Sequence, residues 1–279
     1  MRKRDLTQFG INWNPFSSEV PVEALATTPK TDFFCWRVEQ QLQEGGFMLL
    51  VGEPGTGKSV MLRQLNEHLK QLPDVTTGVL SMPQSKTGSF YRELGHLFGI
   101  HMTPSNRFGG FKALRERWLT HIETTLYRPV LIYDEAQLAV SQVLSELRLL
   151  TSANFDSQNI LTVVLCGDNR LPTRLQTEQL LPLKSRIRFT VTTEILSVDE
   201  MKLFIEHCLE SAGNPRLMSE SVIYALAEHS CGNYRVLTNA ANELLRAAIR
   251  NEKAEINEEL YLETFNVSLN KGKNRKRKR

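Results

Sequence analysis

The chain has 279 residues, 41% hydrophobic and 23% charged, an ordinary composition for a soluble globular protein. No apolar run approaches 18 residues, which excludes a membrane-spanning helix, and the Met-Arg-Lys-Arg-Asp start lacks the apolar stretch of a secretory signal. The net charge of +3 is unevenly spread: Lys271 to Arg279 carry seven basic groups and residues 2–4 three more, leaving a body of about −7.

This length favours one main domain of about 150–200 residues with a smaller companion. Residues 1–30 are rich in Pro, Ser and Thr with isolated aromatics at Phe9, Trp13 and Phe16, and read as an extension whose rings pack on the main domain or stay mobile. A helix is expected from Thr31 to Gln43, stopped by Gly45-Gly46, and Phe47 to Val51 has the character of a buried strand. Lys58 to Leu72 reads as a helix, and Val79 to Met82 as a strand. Helices follow at Ser89–Phe98 and Phe111–Leu126, separated by a loop from Gly99 to Gly110. Pro129–Tyr133, Ile160–Cys166 and Ile187–Thr192 are strands, with a helix over Val140–Thr151 between the first two. Such alternation predicts an α/β domain with a mostly parallel, five-stranded sheet covered on both faces.

Beyond Ile195 only helices are expected. Ser197 with Glu200 forms a capping box, a second box at Ser219 is incomplete, and later helices span Arg235–Asn251 and Glu258–Val267. The predicted organisation is an extension (1–30), a nucleotide-binding domain (31–195), a small all-helical lid (196–267) and a disordered basic tail (268–279). The cysteines, Cys35, Cys166, Cys208 and Cys231, have no metal-binding spacing and read as buried free thiols in a reducing compartment.

The strongest motif is Gly52-Glu53-Pro54-Gly55-Thr56-Gly57-Lys58-Ser59, followed by Val60 at the start of a helix. Its glycines let the backbone wrap a phosphate, and the helix N-terminus adds donors and partial positive charge. Lys58 is expected on the β- and γ-phosphates and Ser59 on Mg²⁺. The apolar strand ending in Asp134-Glu135 is the matching partner, with Asp134 orienting the metal and Glu135 polarising water. An Asn-Lys-x-Asp guanine motif is absent, so ATP is the expected nucleotide. Phe9, Trp13 and Phe16 are candidates to stack on its base, with packing as the alternative.

The phosphate loop, Asp134-Glu135-Ala136-Gln137, the helical C-terminal part and Gly232-Asn233-Tyr234-Arg235 resemble the initiator-like branch of the AAA+ superfamily. Phe9-Gly10 with Asn14-Pro15-Phe16-Ser17, and Glu146-Leu147-Arg148-Leu149-Leu150-Thr151, look more narrowly like the ExeA/TniB group. That group includes ATPases of secretion operons and the target-selecting ATPases of transposons related to MuB and TnsC. The resemblance implies a sensor at Asp168 or Asn169 and a second sensor at Arg235. It also implies an arginine finger at Arg186, with Arg188 and Arg174 as alternatives, acting on a neighbouring subunit's ATP in a ring or helical filament.

The tail residues Lys271, Lys273, Arg275, Lys276, Arg277, Lys278 and Arg279 are suited to neutralising DNA phosphates without reading bases. Lys86, Arg107, Lys112, Arg115 and Arg117 cluster around the Gly99–Gly110 loop, in the part of the domain where the resemblance to the transposon ATPases implies a channel for duplex DNA. The resulting expectation is a cytoplasmic, bacterial ATPase that oligomerises on double-stranded DNA and recruits or activates a separate transposase, with a target-selector protein as a further partner and no membrane contact. The chain's end soon after the lid favours this over an ExeA-like secretion ATPase. A helicase loader, or a scaffold that binds ATP without turnover, is also compatible with these motifs.

Overall fold

The computed structural model describes residues 2–102 and 107–265. The seven basic tail residues and the far end of the last expected helix therefore lie outside the described residues, as do residues 103–106 of the expected loop.

In chain order the elements are α1 (Lys3–Phe9), α2 (Pro29–Gln41), β1 (Gly46–Gly52), α3 (Lys58–Gln71), β2 (Thr77–Leu80), α4 (Thr87–Leu97) and α5 (Arg107–Thr125). Then come β3 (Val130–Tyr133), α6 (Ser141–Thr151), a small hairpin of β4 (Ser152–Ala153) and β5 (Gln158–Asn159), β6 (Thr162–Gly167), α7 (Arg170–Arg174), α8 (Leu181–Lys184) and β7 (Ile187–Thr193). Helices α9 (Val198–Ala212), α10 (Glu220–Ser230), α11 (Tyr234–Arg250) and α12 (258–265) follow. The described residues form two compact units: Thr27–Thr193, and residues 2–26 joined with 194–265.

The first unit is built on five parallel strands in the order β2-β3-β6-β1-β7. Strand side chains alternate between faces, so a strand covered on both sides must be apolar throughout. Phe47, Leu49 and Val51 of β1 join Trp118, Leu144 and Leu147 in one core, while Met48 and Leu50 join Phe34, Leu65 and Leu69 in the other. Strand β3 divides likewise, Leu131 and Tyr133 to the first core and Val130 and Ile132 to the second. Helices α4, α5 and α6 thus cover one face, and α2 and α3 the other. Parallel pairing brings the C-terminal ends of β1, β3 and β6 to one edge, where open sheets of this kind bind ligands.

The helical unit differs from expectation at the chain's start. Phe9, Ile11 and Phe16 are buried with Leu209, Leu226 and Leu244, and Trp13 packs against the same core. Polar ties hold the segment there. Asn214 Nδ2 donates to the Phe9 carbonyl at 2.6 Å, and Asn242 Nδ2 to the Phe16 carbonyl at 3.0 Å. Asn14 Nδ2 donates to Asn242 Oδ1 at 2.7 Å. The N-terminal aromatics are therefore core residues of this unit, and Phe9 and Phe16 are not available to stack on a base. The Ser197/Glu200 box is formed at the start of α9, and Asn233 caps α11 by accepting from the N–H groups of Arg235 and Val236. Gly232 has φ +75°, and a Cβ there would lie 2.2 Å from the Leu196 carbonyl oxygen, so the turn before α11 requires glycine.

Three cysteines are buried, but Cys231 is exposed, a departure from the expected set of buried thiols. Helix α5 starts at Arg107, four residues before its expected start, and so takes in part of the expected loop.

Candidate functional site

The phosphate loop joins the end of β1 to the start of α3, and its conformation is set by close packing against β7. A Cβ on Gly52 would lie 1.8 Å from Thr193 Oγ1 and 2.8 Å from the Thr193 carbonyl oxygen. The Thr56 and Thr193 hydroxyls are 2.6 Å apart, and Thr56 also donates to the Glu53 carbonyl at 2.8 Å. Gly55 and Gly57 take φ +85° and +92°, in the left-handed region that other residues rarely adopt. Gly57 begins α3 with no side-chain cap, leaving the first-turn N–H groups as donors for an anion. Lys58 is buried, and its Nζ folds back to donate to the Gly52 and Glu53 carbonyls, each at 2.8 Å. Ser59, in the first turn of α3, is exposed.

Asp134 and Glu135 follow β3, two strands away in the sheet. Asp134 Oδ1 accepts the Glu135 N–H at 2.8 Å, and Glu135 has φ +52°. Its left-handed backbone turns the chain sharply into a short 3-10 turn over Ala136–Leu138. Buried Gln137 then reaches back and donates from Nε2 to Glu135 Oε2, while its Oε1 accepts the Asp168 N–H at 3.3 Å. Arg174 holds this turn from α7: Nη1 donates to the Gln137 carbonyl at 2.6 Å and Nη2 to Ser141 Oγ at 3.0 Å. Cys166, buried at the end of β6, has its thiol pushed up by burial and then by the neighbouring Asp134. It stays neutral beside the acidic pair.

Of the two sensor candidates, Asp168 is the more buried. Its carboxylate is gripped by Arg170, with Oδ2 2.6 Å from Nη2, and that hydrogen bond holds the carboxyl below the ordinary range, with Lys58 adding to the effect. Asn169 is exposed and its side chain makes no cap bond to α7.

The arginine candidates separate. The β1–β7 register pairs Phe47 with Ile187 and Gly52 with Thr193. Arg186, just before Ile187, is therefore six strand steps of about 3.3 Å from the phosphate loop of its own chain, roughly 20 Å away. There it pairs with Asp156 at the tip of the β4–β5 hairpin, and Arg148 lies 3.8 Å from the same carboxylate. Arg188 also lies at the far end, with its stem packed over Gly46. Arg174 braces the Gln137 turn in its own chain. Arg235 is exposed on the first turn of α11 in the helical unit.

Among the described side chains, Lys112, Arg115 and Arg117 do not share one face of α5. Arg115 Nη1 donates to the Leu149, Leu150 and Ser152 carbonyls, so its charge caps the end of α6. Lys112 and Arg117 are both exposed but about 140° apart around α5 at 100° per residue. Lys112 also has Glu116 3.7 Å away. Lys86 is exposed at the start of α4, and the side chain of Arg107 lies outside the described residues.

Sequence reasoning gave no role to Thr193, Cys166 or Gln137. Strand pairing brings Thr193 and Cys166 to the site, which a linear motif does not record, whereas Gln137 stands within the Asp134–Gln137 motif and only the turn that returns its amide to Glu135 is hidden there.

Residues 40–175 match the model of a family described as an AAA domain. Over 266 residues the chain is 29% identical to General secretion pathway protein A of Aeromonas hydrophila, a match covering 93% of this chain and 48% of that protein. The chain thus spans about half the length of this curated relative. Among solved structures, Cdc6p from Pyrobaculum aerophilum is similar at a TM-score of 0.67 and 17% identity, covering 87% of this chain and 67% of that one. The Drosophila ORC bound to DNA is similar at a TM-score of 0.68 and 17% identity, covering 94% of this chain and 64% of that one. At these identities the structural likeness is one of fold: the α/β P-loop fold of AAA+ ATPases, with a parallel five-stranded sheet and added helices.

Proposed function

We propose that this chain, built on the AAA+ fold, hydrolyses Mg-ATP at the ends of β1 and β3 and uses its nucleotide state to assemble with copies of itself on double-stranded DNA. The observation that carries the reading is the split arrangement of the site. The phosphate loop and acidic pair lie at one edge of the sheet, and Arg186 lies at the opposite end of β7. That separation exceeds the span of an arginine side chain, so Arg186 meets a γ-phosphate only when a second copy presents one. A guanidinium arriving in this way stabilises charge that develops in phosphoryl transfer.

Within one copy, the open N-terminus of α3 and the backbone of Gly52–Gly57 receive the phosphates, and Lys58 exchanges two carbonyls for β- and γ-phosphate oxygens. Ser59 and Asp134 are the hard oxygen ligands that would hold Mg²⁺, which would supply positive charge against that of the phosphates. Glu135 orients the attacking water. Asp168, held by Arg170, lies at the end of β6 as an acceptor-only carboxylate, and Asn169 next to it is the sensor candidate able to donate to a phosphate oxygen. Arg235 is assigned to the second sensor by motif alone.

DNA as a partner is supported by the basic tail sequence, and a structural neighbour, the Drosophila ORC, is bound to DNA. The finer reading, a transposition regulator that recruits a separate transposase, rests on the polybasic tail as a sequence feature, because the N-terminal motif belongs equally to the secretion ATPases of the same group. The secretion-pathway relative favours a second reading, an ATPase serving a secretion apparatus, because its similarity runs along 93% of this chain. ATP turnover with and without duplex DNA, with electron microscopy of the same ATP-bound samples, separates the two. DNA-stimulated turnover with rings or filaments on duplex supports the first reading. Turnover with no DNA association at low salt removes it and leaves the second.

A further inference from the structure

The turn after Glu135 contains a buried amide whose two ends are both committed. Gln137 donates from Nε2 to Glu135 Oε2 and accepts the Asp168 N–H on Oε1, and Arg174 fixes its carbonyl from α7. The amide cannot be reversed without loss, because a carboxylate only accepts and a backbone N–H only donates. Space for this arrangement is made by Gly167, where a Cβ would lie 2.5 Å from Gln137 Oε1. Glu135 itself is exposed, so without a partner its side chain would sample several rotamers.

We propose that Gln137 is a positioning residue for Glu135. Its amide fixes one carboxylate oxygen and leaves the other to hold the attacking water, and it ties that orientation to the backbone of Asp168 at the end of β6. A change at residues 168–169 on nucleotide binding is thereby transmitted to Glu135 through a single side chain. This rests on the ATPase reading above. The logic is that of other active sites, where a group that reacts is held in register by a neighbour that does not, and loss of the neighbour costs about 10- to 100-fold.

Two variants of the full chain divide the roles. Gln137→Glu keeps the size and the acceptor for the Asp168 N–H, but removes the donor to Glu135 and places a like charge against it. Gln137→Met keeps the volume and removes both bonds. Both should lower kcat for Mg-ATP about 10- to 100-fold with KM changed less than about twofold, and Gln137→Glu should be at least as impaired as Gln137→Met. In a Glu135→Gln background Gln137→Glu should add no further loss, because the group it positions is gone. A purely packing role predicts instead that both variants, which keep the side-chain volume, turn over like the parent, and parent-like turnover in either one overturns the proposal. Should the parent chain bind ATP and not turn it over, the hydrolysis reading fails, and the bridge is decided separately. The Gln137 side-chain amide resonance, identified by its loss in Gln137→Met, shifts in Glu135→Ala if the bridge exists and stays in place if it does not.

Discussion

Lys58 illustrates how the site is prepared at the scale of single residues. Its ammonium is out of solvent and bonded to two loop carbonyls, so phosphate binding is an exchange of acceptors for a group already in place. Gly52 is constrained as tightly from the other side. Its missing Cβ leaves room for Thr193, and Gly52→Ala should weaken ATP affinity and destabilise the chain by about 1–3 kcal/mol. Adding Thr193→Ala removes the nearer clash and should restore part of both, as read by nucleotide titration and thermal melting. Glu135→Gln should retain ATP and lose turnover by about 100-fold or more, the scale of a lost proton-accepting group. Equal turnover in this variant and the parent would remove Glu135 from the reaction.

The elements around these residues differ in how well the sequence announces them. Phe47–Val51 reads as a strand because burial on both faces demands an unbroken apolar run. The phosphate loop reads as a site because its chemistry is contiguous. The β4–β5 hairpin does not: its strands have two residues each, and its tip places Asn154, Phe155 and Asp156 in left-handed backbone without a glycine to signal it. Helix α1 and the clasp around Phe16 are equally hidden, because their partners lie more than 200 residues away. Phe16→Ala should lower the stability of the chain by about 3 kcal/mol, measured by melting, since it empties a fully packed site. An unchanged melting curve would show that the clasp is dispensable.

The hairpin tip also bears on Arg186. Asp156 accepts from Ser152 and is flanked by Arg186 and Arg148, which together keep its carboxyl below the ordinary value. A depressed carboxylate keeps its partner at any pH above the ordinary carboxylate value and releases it only as pH falls through the lowered one. The pair is therefore closed throughout the neutral range. Because it is partly exposed, it is worth at most about 1 kcal/mol. Asp156→Asn should free Arg186 and lower the chain concentration needed for half-maximal turnover, by no more than about fivefold. A rise in that concentration would show that Asp156 supports assembly rather than restraining the arginine.

At the scale of the whole molecule, the proposed function requires that each ATP be hydrolysed by a site that two copies complete, Glu135 from one and Arg186 from the other. Mixing tests this most directly. Glu135→Gln carries an intact Arg186, and Arg186→Ala carries an intact Glu135, so each alone should turn over ATP poorly. Combined under assembling conditions, they should hydrolyse ATP at a rate neither reaches alone, because some junctions bring both intact groups together. A mixture that stays at the sum of its parts, or an Arg186→Ala chain as active as the parent, would contradict the shared site.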